Sequence, residues 1–225
     1  MNKIIQSLIN EVVQIEVSGK KQLKGTVIDL GSDMIVLFNG IDFVYIPLVH
    51  IQNFAVDRDN EDDLKAPMEF PSIISDENNE DLTFGEVLLK AKGKYVEIYV
   101  TGGHTLHGCI SSIMSDYLVF DSPIYKTMYI ALSHLKWLIP YSQNEKPYGL
   151  DDRKTTIQSD QELLPNTFEV QVEKLASEIV VFNIDGNKSF IGKLNNIEGQ
   201  IVEIQTARKN SIYVNLQHIK TLHKV

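Results

Sequence analysis

Tyr45-Ile46-Pro47-Leu48-Val49-His50-Ile51, Tyr129-Ile130-Ala131-Leu132-Ser133-His134-Leu135 and Tyr213-Val214-Asn215-Leu216-Gln217-His218-Ile219 are one phrase written three times. The tyrosines stand 84 residues apart both times. Upstream of each phrase lies a glycine pair at near-constant spacing: Gly19 and Gly25, Gly102 and Gly108, Gly186 and Gly192. Tyr, Leu, His and two glycines recurring together in three places establish an internal repeat, with each copy a single structural unit.

Each unit reads as β structure. Alternating apolar residues open it (Val13, Ile15 and Val17; Val96, Ile98 and Val100; Val180, Phe182 and Ile184), the period of a half-buried strand. Turns follow at Ser18-Gly19-Lys20, Thr101-Gly102-Gly103 and Asp185-Gly186-Asn187, the last carrying the Asp-Gly hairpin signal. A second strand runs through the second glycine, over 23–30, 106–113 and 190–197. Glycine inside a strand marks a bend or a close backbone approach. Turns at Gly31-Ser32-Asp33, Met114-Ser115-Asp116 and Glu198-Gly199-Gln200 lead to third strands at 34–38, 117–120 and 201–204. Two short strands then meet around the Tyr phrase. Five short strands with frequent turns predict a small antiparallel barrel per repeat.

A short helix precedes each barrel: 3–10, 84–91 and 168–177. Thr83 with Glu86 forms a capping box, and Asn166 with Glu169 offers a second cap. An apolar helix of this kind can cover the open end of a small barrel. The organisation is therefore barrel 1 at 1–56, an acidic linker at 57–81, barrel 2 at 82–141, a polar linker at 142–165 and barrel 3 at 166–225.

Of the net charge of −9, nearly all resides in the first linker, where ten acidic residues face Arg58 and Lys65. Such a segment reads as a self-repelling spacer, or as an acidic tail for a basic partner. Met68-Glu69-Phe70-Pro71-Ser72-Ile73-Ile74 is an apolar patch within it. The acidity argues against a protein built to neutralise phosphates. The N-terminal stretch lacks a continuous apolar core of signal-peptide length, and no run approaches a membrane span. Cys109 is the single cysteine, so no intrachain disulfide can form and a cytoplasmic origin is expected.

Candidate chemistry is sparse. His50, His134 and His218 invite a metal or catalytic reading, but no second ligand travels with each copy. The alternative is a structural histidine bonded to a loop. His104 and His107 flank the Gly102 turn without repetition elsewhere, and Cys109 reads as a small core residue. Ser32-Asp33 and Ser115-Asp116 fit turn chemistry, with side chains bonding the local backbone. Tyr45, Tyr129 and Tyr213 could stack bases or pack in the core or a hairpin. Lys20, Lys21 and Lys24, and Arg208 with Lys209, read as solvated turns. No catalytic, cofactor-binding or metal-binding motif is visible. The repeat signature is structural: Gly19, Gly25, Tyr45, Leu48 and His50; Gly102, Gly108, Tyr129, Leu132 and His134; Gly186, Gly192, Tyr213, Leu216 and His218.

The element order and the segment from Leu23 to Leu37 resemble the Sm-like fold, the small SH3-like barrel of Sm/LSm proteins and of the RNA chaperone Hfq. That family's Asp and Asn fall at or near Gly31 and Ile35. Its Tyr-Lys-His reads Tyr45-Ile46-Pro47, Tyr129-Ile130-Ala131 and Tyr213-Val214-Asn215 here. The RNA-binding signature is therefore missing. Val13 to Gly19, Ser32 to Leu37, Tyr45 to Ile51 and Ser115 to Phe120 are closer to the Sm-like modules associated with spore coat proteins of endospore-forming bacilli, spore coat protein B among them. The resemblance implies a mainly β chain of three tandem five-stranded Sm-like barrels. It also implies a non-enzymatic structural role in a spore coat or related sporulation assembly, with no cofactor. Partners would be proteins, met through barrel edges and faces, with self-association as a pseudo-trimer or a dimer of trimodular chains. Single-stranded nucleic acid on a pseudo-hexameric ring is the alternative.

Overall fold

The computed structural model describes residues 3–60, 63–64, 67, 82–142, 145–150, 163–184, 189–208 and 210–225. The apolar patch at 68–74, most of both linkers, the turn at 185–187 with Gly186, and Lys209 lie outside the described residues.

Fifteen strands are found among these residues. The first repeat supplies β1 (Val12–Val17), β2 (Lys21–Leu30), β3 (Met34–Phe38), β4 (Phe43–Pro47) and β5 (Ile51–Val56). The second supplies β6 (Tyr95–Tyr99), β7 (Leu106–Ile113), β8 (Tyr117–Ser122), β9 (Lys126–Ala131) and β10 (Trp137–Pro140). The third supplies β11 (Ile179–Phe182), β12 (Phe190–Glu198), β13 (Ile201–Gln205), β14 (Ser211–Asn215) and β15 (Thr221–Lys224). Helices α1 (Lys3–Gln6), α2 (Phe84–Ala91) and α3 (Phe168–Lys174) are short. The chain is mainly β, with five antiparallel strands per repeat.

Two compact units form. One runs to Ala91 and includes Lys136–Pro140; the other holds Lys92–Leu135 and the chain from Tyr141 onward. In the first, the strand order is β5-β1-β2-β3-β4-β10. In the second, β14-β13-β12-β11-β15-β9-β8-β7 run in order, followed by β6.

Local chemistry explains the repeated bend. A Cβ at Gly25, Gly108 or Gly192 would lie less than 3 Å from the carbonyl oxygen of Phe38, Asp121 or Gln205 on the third strand. Only glycine fits that approach. Three residues further on, all three second strands shift register against the third, between Val27 and Asp29, Ile110 and Ser112, and Leu194 and Asn196. A glycine followed by a bulge is the combination that lets a strand curve.

The helices are shorter than the sequence pattern predicts at 3–10 and 168–177. The reason is shared. Asn10, Gly93 and Ser177 turn left-handed at φ 68°, 78° and 72°, and each N–H donates to a second-strand carbonyl: Val27, Ile110 and Leu194. Helical backbone ends there because those N–H groups are taken by the sheet. On α2, Phe84, Val87, Leu88 and Ala91 are buried, the stripe expected of a helix lying on a core. In the second unit one cluster joins Tyr117, Val119 and Ala131 of the second repeat to Phe168, Val172, Phe182, Leu194, Ile204 and Leu222 of the third.

Candidate functional site

The helix starts show how the repeats are locked together. Asp33 Oδ1 accepts from the Phe84 N–H at 2.8 Å, and Asp116 Oδ1 accepts from the Phe168 N–H at 2.7 Å. The Ser32 N–H donates to the Leu82 carbonyl and the Ser115 N–H to the Asn166 carbonyl. The Ser-Asp pair thus reaches some 50 residues along the chain to hold the helix that opens the next repeat. The expected local turn bonding gives way to this use, because a helix N-terminus offers unpaired N–H groups to a carboxylate. The Thr83–Glu86 box forms as read: the Thr83 N–H donates to Glu86 Oε2 at 2.8 Å and the Glu86 N–H to Thr83 Oγ1 at 3.2 Å. The Thr83 N–H and the Thr83 hydroxyl, both donating to Glu86 Oε2, hold the Glu86 carboxyl below its usual range. At α3 the N-cap is Thr167, which makes no side-chain cap bond. Asn166 does not cap; Asp116 does that work from outside the helix.

The signature histidines end three short 3-10 turns, Leu48–His50, Leu132–His134 and Leu216–His218. His50 Nδ1 lies 3.2 Å from Ser18 Oγ. His134 donates from Nε2 to the Gln217 carbonyl at 2.9 Å, and Asn183 Nδ2 donates to the His218 carbonyl. Among the described residues no group of three His, Cys, Asp or Glu side chains could hold a metal. His107 is engaged by Thr105 Oγ1 at 3.1 Å and by the Tyr141 hydroxyl at 2.8 Å. Cys109 is buried, and burial pushes its thiol up to about 11, so it is an inert core residue. Lys24 pairs with Asp57 at 2.6 Å. A shallow groove of about 280 Å³, lined in part by Asp116, His134, Phe168 and Gln217, lies where the second and third repeats meet. Its Asp116 and His134 are already committed to the bonds just described.

The remaining surface of interest is the edge backbone. Fifth strands pair with the fourth strand of the preceding repeat: β10 beside β4, with Leu138 opposite Tyr45, and β15 beside β9, with Leu222 opposite Tyr129. Leu138 and Leu222 occupy the same repeat position, as do the tyrosines. The chain therefore makes one seam twice, in one register. The second seam includes the Ala131 N–H donating to the Lys220 carbonyl at 3.0 Å.

Two strands have no such counterpart among the described residues. β5 pairs with β1 alone, and β14 with β13 alone. β5 reads Ile-Gln-Asn-Phe-Ala-Val and β14 Ser-Ile-Tyr-Val-Asn, with neither charge nor proline in either strand. Soluble proteins commonly blunt a sheet edge with Lys or Pro; β5 carries instead a register shift against β1, with Gln52 as the extra residue. Tyr45 is fully buried and Tyr129 packs edge-on against Tyr117 with ring centroids 6.1 Å apart, whereas Tyr213 is 68% exposed. Burial of the signature tyrosine thus does not extend to the third copy, where β13 is the only described strand beside β14. Sequence reading expected contacts through barrel edges but named neither the seam strands nor the open ones. No side-chain signal marked the edges, since β3 and β11 are uncharged too and lie between other strands.

A mainly β protein of three repeats, stitched strand to strand and, among the described residues, leaving two unlike edges open, is the class these features define. Residues 167–222 match the family described as the YwrJ third domain. The chain is 32% identical over 227 residues to YwrJ of Bacillus subtilis (strain 168), covering 98% of this chain and 99% of that protein. It belongs to the YwrJ family. It is also 25% identical over 147 residues to spore coat protein B of the same organism, covering 65% of this chain and 36% of that protein. Among the described residues no helix is long and apolar enough to cross a membrane.

Proposed function

We propose that this chain is a non-enzymatic structural protein of a spore coat or a related sporulation assembly, made in the cytoplasm and binding other proteins through its sheet edges. The observation that carries the reading is the pair of uncharged open edges, β5 and β14, whose counterparts elsewhere in the chain are occupied by neighbouring strands. Exposed backbone N–H and C=O groups in a row recruit another strand with main-chain hydrogen bonds. Full-length likeness to YwrJ and partial likeness to spore coat protein B support the sporulation setting. Each repeat is proposed to be an Sm-like barrel, with the Gly25, Gly108 and Gly192 bends curling the sheet.

A fluorescent fusion followed through sporulation in a bacillus tests the setting. Signal concentrating on the forespore surface and remaining with purified spores is expected, and an even cytoplasmic signal overturns it. Purified protein with a high ratio of absorbance at 260 to 280 nm that falls in high salt would instead favour single-stranded nucleic acid as the partner.

A further inference from the structure

We infer that the β5 edge of one copy of this chain pairs, antiparallel, with the β14 edge of a second copy, in a register set by the two seams inside the chain. This names the partner for the edge-binding reading above and rests on it.

The argument is one of matching surfaces. Inside the chain every described seam joins a fifth strand to a fourth strand of the preceding repeat. Two such joins use the fifth strands of repeats two and three and the fourth strands of repeats one and two. The fifth strand of repeat one and the fourth strand of repeat three remain, and they are the two halves of the same seam. An interface between unlike edges is heterologous, so it continues from copy to copy and either closes into a ring or extends as a filament.

The register follows from the repeat. Leu222 faces Tyr129 and Leu138 faces Tyr45; the residue equivalent to Leu138 and Leu222 in β5 is Phe54, and the tyrosine of β14 is Tyr213. Phe54 therefore faces Tyr213 of the next copy. The Ala131 N–H donates to the Lys220 carbonyl, which makes that position a hydrogen-bonded pair. By alternation, Met128 opposite His223 is a non-hydrogen-bonded pair, where the strands' Cα atoms come closest. Its counterpart across the copies is Ile212 opposite Ala55. The Asn215 N–H likewise meets the Gln52 carbonyl, repeating the Ala131–Lys220 bond. Gln52, Asn53 and Ala55 of β5 and Ser211 and Tyr213 of β14 are exposed, so the pairing displaces no other described strand.

Cysteine cross-linking in the full chain tests this. A cysteine pair at a close non-hydrogen-bonded position has the spacing a disulfide needs. Ala55→Cys protein mixed with Ile212→Cys protein should form, under mild oxidation, a reducible heterodimer at least about tenfold above either variant alone. Ala55→Cys mixed with Tyr213→Cys places the thiols on opposite faces of the sheet and should stay near background. Unmodified protein should show a light-scattering mass at or above twice the 25.5 kDa of one chain. Self-linking of Ala55→Cys alone, equal yield from the off-register mixture, or a monomer at high concentration each overturns the inference. A monomer whose fusion still coats the spore sinks this pairing and spares the functional reading. Cross-linked copies with an evenly cytoplasmic fusion do the reverse.

Discussion

Tyr45 and Tyr213 hold the same place in two copies of one repeat, yet the first is fully buried and the second is 68% exposed. The strands around them have the same partners on one side, β3 for the first and β13 for the second. The difference lies on the other side, where Leu138 of β10 faces Tyr45 and nothing described faces Tyr213. Burial pushes the Tyr45 hydroxyl well above its ordinary titration range, with Asp29 adding to the effect. A seam therefore changes the solvent and dielectric around a tyrosine without changing the strand that carries it. Occupied and open edges are the same structure in two states of pairing.

Breaking an occupied seam should have the largest effect. Leu222 is fully buried and lies opposite Tyr129 on β9, so Leu222→Asp places an unpaired charge in the core of the second unit. A loss of about 4 kcal/mol is expected in urea unfolding. A loss under about 1 kcal/mol would mean that the seam adds little to the fold.

The Asp caps come next. Asp116→Ala should cost about 1 kcal/mol, since Asp116 supplies the only side-chain acceptor described for a backbone N–H at the start of α3. Asp33→Ala should cost less, because the Thr83–Glu86 box also supports the start of α2. Equal thermal shifts for the two variants would contradict this ordering.

A smaller, pH-dependent effect belongs to the second seam. His223 is buried opposite Met128, near the Tyr125 ring, and burial lowers its pKa from the ordinary 6.5. The unfolded chain then binds a proton that the folded chain resists, so the His223 contribution is present above pH 6.5 and lost as pH falls through the lowered folded value. Melting temperature should drop between about pH 7.5 and about pH 5.5, and the drop should shrink in His223→Leu. An unchanged slope in the variant would remove His223 from the account. The open edge carries Ala55 at this position and has no such titration.

Tyr213→Thr should have the smallest effect on the chain itself, within about 0.5 kcal/mol, because the side chain already stands in water and threonine keeps an uncharged strand former opposite Glu203. Unfolding measured at low protein concentration checks this. A loss comparable to that of Leu222→Asp would show that Tyr213 is buried in the working protein.

Much of the fold was legible because its causes are local. Val13, Ile15 and Val17 alternate as a strand and are buried as one, and the Thr83–Glu86 box spans three residues. Gly25, Gly108 and Gly192 read as bends for the reason the structure displays, a carbonyl too close for any Cβ. Asp33 and Asp116 were visible as repeated residues, but their reach to Phe84 and Phe168 was not, since that bond depends on where the next helix packs. The seams were the least legible feature. The amino-acid sequence by itself determined the three-fold repeat, its strands and its close-approach glycines: the strands follow from alternation within a few residues, and each glycine meets a carbonyl in the adjoining hairpin strand. Only the tertiary structure decided that β10 lies beside β4 and β15 beside β9, leaving β5 and β14 open. The physical reason is that an edge is made of backbone N–H and C=O groups, which nearly every residue carries alike, so strand-to-strand partnership leaves little mark on side-chain identity.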